Sequence, residues 1–143
     1  MSAIRRKCWI LNSRPSGDVT EDDFEYREMP LRTLGNDEIL VRNIYLSLDP
    51  TNRLWMSDIE QYLPPVQLGE VMRGGTAGVV EATTSPRFKI GDLVAPAAGE
   101  WASHTISSAR GSRPIPANSG LPLDAFMSVL GMTGLTAYFG MLD

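Results

Sequence analysis

The stretch GEVMRGGTAGVVEATTSPRFKIGDLVAP, residues 69–96, decides the fold that this sequence predicts. A glycine cluster at residues 74–78 runs into a β-rich segment at residues 76–82, and a proline-containing turn then leads to a second apolar strand at residues 93–95. Glycine inside a strand pattern marks a bulge, a barrel corner or a close approach of two backbones. Two strands joined by a polar turn, with a glycine kink at one end, are typical of a small closed or half-closed β-barrel.

The same glycines raise the alternative of a phosphate-binding loop. A dinucleotide fingerprint reads G-x-G-x-x-G, follows a strand and opens a helix. Here the glycines are Gly74, Gly75 and Gly78, and the segment after them reads as a strand. The order of the elements therefore favours the structural interpretation.

Length and composition predict one soluble globular domain. The chain has 143 residues, 43% of them hydrophobic and 21% charged, and can bury a core without disulfides or metals. Its net charge of -4 argues against nucleic acid or an anionic membrane as the main partner. The single cysteine, Cys8, fits a reducing compartment, and we expect it to be buried and inert. With the single histidine, His104, it leaves too few ligands for a zinc site.

The remaining pattern predicts short strands followed by helices, an α+β or mainly-β order. Four further segments have the character of strands: residues 8–12, 24–29, 38–48 and 99–107. Three segments have the character of helices: residues 51–56, 123–130 and 134–142. Pro50 is expected at a helix start, Gly131 as a helix stop and Thr133 as a helix cap. Residues 58–67 are expected to be a loop, and residues 110–120 a turn-rich linker with an extended stretch at residues 114–116.

The end of the chain is unusually apolar. No charged residue occurs in residues 125–142, a run barely long enough to span a membrane, and its three glycines make it a poor spanning helix. We therefore expect this run to be buried against a large neighbour that these residues do not include.

Three motifs, in order, resemble one enzyme family. YLSLDPTNR at residues 45–53 resembles the YLSxDPxxR motif of zinc-independent medium-chain dehydrogenase/reductases, and more narrowly that of the prostaglandin, alkenal double-bond and curcumin reductases. The glycine-rich strand pair ending in GDLV at residues 91–94 is similar to the GroES-like barrel of that superfamily. LGMTGLTAY at residues 130–138 resembles its GMPGLTAY signature, on helices that lead to the cofactor domain.

The resemblance implies a mainly β (α+β) fold, a GroES-like, partly open β-barrel with short helices and a C-terminal helical arm. Residues 1–121 would form the catalytic (substrate) domain. Residues 122–143 would form the arm, leading to a Rossmann cofactor domain that lies outside these residues. By the same resemblance, the full-length protein would be a cytoplasmic homo-oligomer.

The resemblance also implies an activity, the NADPH-dependent reduction of the C=C bond of α,β-unsaturated ketones or aldehydes. A hydride would reach the β-carbon, and hydrogen-bond donors would stabilise the enolate oxygen. NADP would be bound mainly by the Rossmann domain, so the isolated chain would have little activity. The partners would be a small enone or enal and that domain, without nucleic acid or membrane. A quinone-reductase-type member and a non-catalytic GroES-like binding module remain alternatives.

The chain departs from the family pattern at two positions. The tyrosine usual after Asp-Pro is replaced by Thr51, and the proline of the signature is replaced by Thr133. Zinc-dependent relatives carry Gly-His-Glu where this chain has Arg73-Gly74-Gly75, which cannot bind zinc, so no metal is expected.

Seven candidate site residues follow from the resemblance: Pro50, Thr51, Met132 and Thr136 toward the nicotinamide, and Asn52, Arg53 and Tyr62 toward the substrate. Each of these residues also has a structural interpretation that does not depend on the resemblance. These alternatives are a helix cap at residues 50–51, an exposed polar turn at residues 52–53, packing for Tyr62 and Met132, and a helix-surface hydroxyl for Thr136. No catalytic residue is assigned. His104 has no carboxylate close to it in sequence and is interpreted as structural.

Overall fold

In a computed structural model, which describes residues 5–142, the chain folds into two antiparallel sheets and a few short helices. The seven strands are β1 (Arg5–Leu11), β2 (Phe24–Pro30), β3 (Glu38–Leu46), β4 (Thr76–Thr83), β5 (Leu93–Ala95), β6 (His104–Ser108) and β7 (Arg113–Ile115). The α-helices are α1 (Pro50–Trp55) and α2 (Met132–Leu142), and two short 3-10 helices lie at Glu21–Asp23 and Leu123–Phe126.

The sheets form a partly open barrel. Strands β1 and β2 make a hairpin, and the second sheet has the order β6-β3-β4-β5-β7. Isolated bridges from Cys8 to Ala102 and from Ile10 to Val71 connect the hairpin to the rest. The mainly β fold with few short helices is confirmed. The alternative of a closed barrel is wrong, because the strands remain in two separate sheets.

Two hydrophobic clusters form the core. One lies on the five-stranded sheet and contains Ile39, Val41, Val80, Phe88, Val94 and Ala109. The other lies between β1, α1 and the start of the glycine-rich segment, and contains Leu11, Met56, Val66 and Met72. All members of both clusters belong to the barrel, so the barrel buries its own core.

Gly78 shows why the glycine-rich segment has its pattern. It lies opposite Asn43, beside a register irregularity between β3 and β4. A Cβ atom built on Gly78 would lie 2.1 Å from the carbonyl oxygen of Arg42. The predicted close approach of two backbones is therefore confirmed.

The helical end of the chain differs from its prediction. The expected helix at residues 123–130 is limited to the 3-10 helix Leu123–Phe126, followed by turns. The backbone N–H of Leu135 donates to the carbonyl of Gly131, so α2 begins at Met132. Thr133 consequently lies inside α2, and its prediction as a helix cap is wrong.

Two strand predictions also need correction. The strand expected at residues 99–107 begins only at His104, because residues 99–103 cross between the two sheets and bond to Met72 and Gly74. In the linker at residues 110–120, the stretch expected to be extended at residues 114–116 lies one residue earlier, as β7 (Arg113–Ile115), which pairs with β5. Within residues 5–142, no helix has the length and apolar character needed to cross a bilayer.

Candidate functional site

A cleft of about 450 Å³ separates the barrel from the arm, whose described part is residues 122–142. Its walls include Thr51 and Trp55 of α1, Tyr62 of the following loop, Arg113 of β7, and Met127 and Met132 of the arm. A second, apolar groove of about 470 Å³ adjoins the cleft and shares Ser47, Met127 and Thr133 with it. Three segments that are distant in sequence therefore meet in one concave surface.

The first turn of α1 is held by Asn52. The side-chain Oδ1 of Asn52 accepts the backbone N–H of Asp49 at 2.6 Å, and its Nδ2 donates to the carbonyl of Arg73 at 3.1 Å. Asn52 is only 5% exposed. Its amide therefore fixes the helix start against the segment before β4, and this geometry turns Thr51 toward the cleft.

Arg53 points away from the cleft. Its Nη1 donates to Ser57 Oγ at 2.7 Å, and its Nη2 donates to the carbonyls of Pro15 at 2.8 Å and Gly17 at 3.2 Å. The prediction that Asn52 and Arg53 offer donors to a substrate is not supported by this geometry, because their polar groups bond inside the protein. The alternative of an exposed polar turn is wrong for Asn52, which is buried.

Two hydroxyl groups face each other in the cleft. The Thr51 Oγ1 and Tyr62 Oη atoms are 3.4 Å apart, and Tyr62 is 70% exposed. The loop that carries Tyr62 returns to α1, where the N–H of Val66 donates to the carbonyl of Trp55 at 2.9 Å. Tyr62 is therefore an accessible phenol on a loop with both ends attached to the barrel.

Trp55 is a cleft residue that the sequence reasoning did not select. It lies one helical turn after Thr51, and residues four apart share a helix face, so this spacing could have revealed it. The Arg73 guanidinium carbon lies 5.2 Å from the centroid of the Trp55 ring. Within residues 5–142, the Trp55 indole N–H has no hydrogen-bond acceptor. The indole N–H is therefore a buried donor without a partner in the described part of the chain, while other atoms of Trp55 line the cleft.

The arm contributes apolar surface to the site. Met132 is 79% exposed and lines the cleft. Thr136 Oγ1 donates to the carbonyl of Met132 at 2.9 Å, within the same helix. Pro50 is exposed at the start of α1, and neither it nor Thr136 belongs to the cleft lining. The structure therefore brings together Thr51, Tyr62 and Met132 from the predicted set.

His104 and Cys8 lie outside the cleft lining. His104 Nε2 is 3.2 Å from Glu81 Oε2, and Arg42 Nε donates to the other oxygen of that carboxylate at 2.8 Å. Folding therefore supplies a carboxylate that His104 lacks nearby in sequence. Cys8 is fully buried, and this burial raises the pKa of its thiol. Among residues 5–142, no group of three or more His, Cys, Asp or Glu side chains is arranged to hold a metal ion.

Residues 7–115 match the family model described as the N-terminal domain of oxidoreductase. Among curated proteins, the chain is 40% identical over 142 residues to the NADPH-dependent curcumin reductase of Escherichia coli, covering 97% of this chain and 40% of that protein. It is 34% identical to prostaglandin reductase 1 of Rattus norvegicus, covering 98% of this chain and 41% of that protein.

The structural comparison points to the same group. The chain matches the crystal structure of CurA from Vibrio vulnificus with a TM-score of 0.87, and the complex of CurA with NADPH with a TM-score of 0.86. In both cases the identity is 36%, and the match covers 96% of this chain and 40% of CurA. The chain spans about two fifths of the length of these relatives. It belongs to the family described as the N-terminal domain of oxidoreductase.

Proposed function

We propose that this chain is the substrate-side part of an NADPH-dependent oxidoreductase that reduces the C=C bond of α,β-unsaturated ketones or aldehydes. The observation that carries the proposal is the convergence of Thr51, Tyr62 and Met132 on one cleft between the barrel and the arm. Apolar walls with a few polar groups are typical of small-molecule sites. The similarity to a curcumin reductase and a prostaglandin reductase supports the reaction class.

The cleft residues fit the nicotinamide end of NADPH. Met132 offers apolar surface to a planar ring, and Trp55 adds an aromatic wall to the same cleft. Gly74 and Gly75 lead into β4 and Gly78 lies within it, so this glycine cluster lacks the helix N-terminus of a dinucleotide phosphate loop. We therefore assign the phosphate and adenine groups of NADPH to a Rossmann domain beyond these residues, against which the apolar arm would pack.

The chain's own groups would bind and polarise the substrate. NADPH, when bound, supplies the hydride for the β-carbon. The Tyr62 phenol can donate a hydrogen bond to the substrate carbonyl oxygen, where negative charge develops as the enolate forms. Thr51 lies beside that phenol and orients it, while Asn52 fixes the helix turn that carries Thr51. A proton delivered to the α-carbon then completes the saturated ketone.

Binding of an enone to the chain tests this proposal directly. We expect 4-phenyl-3-buten-2-one to shift the NMR signals of Thr51, Tyr62 and Met132 in a saturable manner. Tyr62→Phe should weaken the binding by up to about tenfold, corresponding to the loss of one hydrogen bond to the neutral carbonyl oxygen. Arg53→Lys is the matched control, because Arg53 lies on the same helix but bonds away from the cleft.

Two outcomes would contradict the proposal. Signal shifts confined to surfaces outside the cleft would place the enone elsewhere, and shifts with menadione but not with the enone would favour a quinone reductase. Turnover of NADPH and the enone by the isolated chain at a normal rate would contradict the assignment of the dinucleotide to a second domain.

A further inference from the structure

Arg113 makes two hydrogen bonds between the sheet and the arm. It is the first residue of β7, the edge strand of the five-stranded sheet. Its Nη2 donates to the carbonyl oxygen of Phe126 at 2.5 Å, and its Nη1 donates to that of Leu130 at 3.4 Å. Phe126 ends the 3-10 helix, and Leu130 lies two residues before α2. One guanidinium group therefore spans the turns that connect the two helical segments.

Neither acceptor has a backbone donor within the described part of the arm. The last carbonyl groups of a helical segment have no partner within that segment. Among the backbone hydrogen bonds of residues 5–142 outside regular elements, neither Phe126 O nor Leu130 O accepts an N–H group. Cationic side chains near the end of a helical segment satisfy such carbonyl groups and interact favourably with its dipole. Arg113 supplies both donors from a different part of the fold.

The same side chain forms part of the cleft. Arg113 lines the cleft on the sheet side, while Met127 and Met132 line it on the arm side. Within the described part of the chain, no carboxylate oxygen lies within 4.0 Å of the Arg113 guanidinium. Carbonyl groups of the arm are therefore its bonding partners, and the arm has few other contacts with the sheets.

We propose that Arg113 is a positioning residue, which clamps the arm to the sheet and thereby sets the width of the cleft. A guanidinium is planar and rigid and presents several N–H donors in a fixed fork, so it can hold two carbonyl groups at a fixed separation. A lysine ammonium is a single flexible point charge and cannot reproduce that bridge. The consequence for substrate binding rests on the proposed function, but the clamp itself does not.

Amide hydrogen exchange of the chain tests the clamp without any ligand. We expect Arg113→Ala to accelerate exchange tenfold or more at Gly131, Gly134 and Leu135, whose N–H groups bond within the arm. Exchange in β3 and β4 should keep its native rate. Arg113→Lys should behave like Arg113→Ala, and millimolar guanidinium chloride should restore protection to the alanine variant only. Arg110→Ala is the matched control, because Arg110 bonds to Asp37 and not to the arm.

A spin label measures the width of the cleft. Tyr45 lines the adjoining groove together with Val129 and Ala137 and is 43% exposed, whereas Cys8 is buried and should not react. A nitroxide on Tyr45→Cys should broaden the amide signals of residues 127–137, and Arg113→Ala should weaken this broadening. Native exchange rates and native broadening in Arg113→Ala would overturn the proposal. Native exchange rates and native broadening in Arg113→Lys would overturn the requirement for the guanidinium fork. Neither measurement uses enone or NADPH, so failure of the proposed function would leave both results interpretable.

Discussion

The barrel and the arm both contain large apolar side chains, but these side chains have opposite environments. In the barrel, Ile39, Val41 and Val80 are fully buried. In the arm, none of the residues of α2 is buried, and Phe139 is 62% exposed. Large exposed apolar surfaces on soluble domains mark sites of interaction. The difference shows that the barrel supplies its own stability, whereas the arm presents a surface suited to a partner.

The comparison also locates the cleft at the boundary between the two regions. Thr51 and Tyr62 belong to the self-supporting barrel, and Met132 belongs to the arm. A site of this kind has one wall fixed by a packed core and another fixed by a few polar contacts. Changes in the barrel should therefore act on global stability, and changes in the arm should act on the cleft.

Truncation of a large apolar side chain should separate the two regions most clearly. Ile39→Ala removes a fully buried side chain from the sheet cluster and should lower the free energy of unfolding by about 2–5 kcal/mol. Leu135→Ala removes a side chain that is 51% exposed and should change the free energy of unfolding by less than about 0.5 kcal/mol. Urea unfolding followed by tryptophan fluorescence measures both. Equal losses for the two variants would contradict a self-sufficient barrel.

Glycine substitution gives the next largest contrast. A Cβ on Gly78 would collide with the Arg42 carbonyl, so Gly78→Ala should destabilise the barrel by about 1–3 kcal/mol. No atom lies within 4 Å of a Cβ on Gly140 in α2, so Gly140→Ala should favour the helix by up to about 1 kcal/mol. Thermal unfolding measures the first effect and circular dichroism at 222 nm the second. A stable Gly78→Ala variant would disprove the need for close contact between β3 and β4.

Local signals in the sequence were sufficient for much of the barrel. Asp49-Pro50 predicted the start of α1 because proline suits the first position of a helix, and structure and prediction agree there. The strand at residues 93–95 was predicted with its observed bounds. In both places the residues that determine the structure are neighbours in the chain.

Long-range contacts explain what the sequence did not predict. β7 has only three residues, one of them Pro114, and it becomes a strand through its pairing with β5. Asn52 looked like an exposed donor because its acceptor, the Arg73 carbonyl, lies 21 residues away in sequence. The sequence did not indicate a role for Arg113 for the same reason, because its hydrogen-bond partners Phe126 and Leu130 belong to the arm.

Acid should affect the barrel and leave the arm unchanged. Hydrogen bonds from the Arg32 guanidinium and from the backbone N–H of Gly35 lower the pKa of Glu38 from 4.5 to about 2. Because the folded pKa is the lower one, Glu38 contributes stability fully above pH 4.5, and this contribution is lost as the pH falls toward 2. Serine hydrogen bonds also lower the pKa values of Asp23 and Asp37 in the barrel.

Glu38→Gln is the variant that isolates this contribution, and its expected effect is the smallest of the three because the ion pair with Arg32 is partly exposed. The variant should be less stable than the native chain at pH 7 and should lose less stability between pH 4.5 and pH 2. Glu60→Gln, at an exposed position in the loop after α1, controls for the change in net charge. Residues 125–142 contain no Asp, Glu, Lys, Arg or His, so exchange at the amides of α2, corrected for the intrinsic effect of pH, should not change over this range. A parallel loss of protection in the arm would show that the two regions unfold as one unit and would remove the distinction between them.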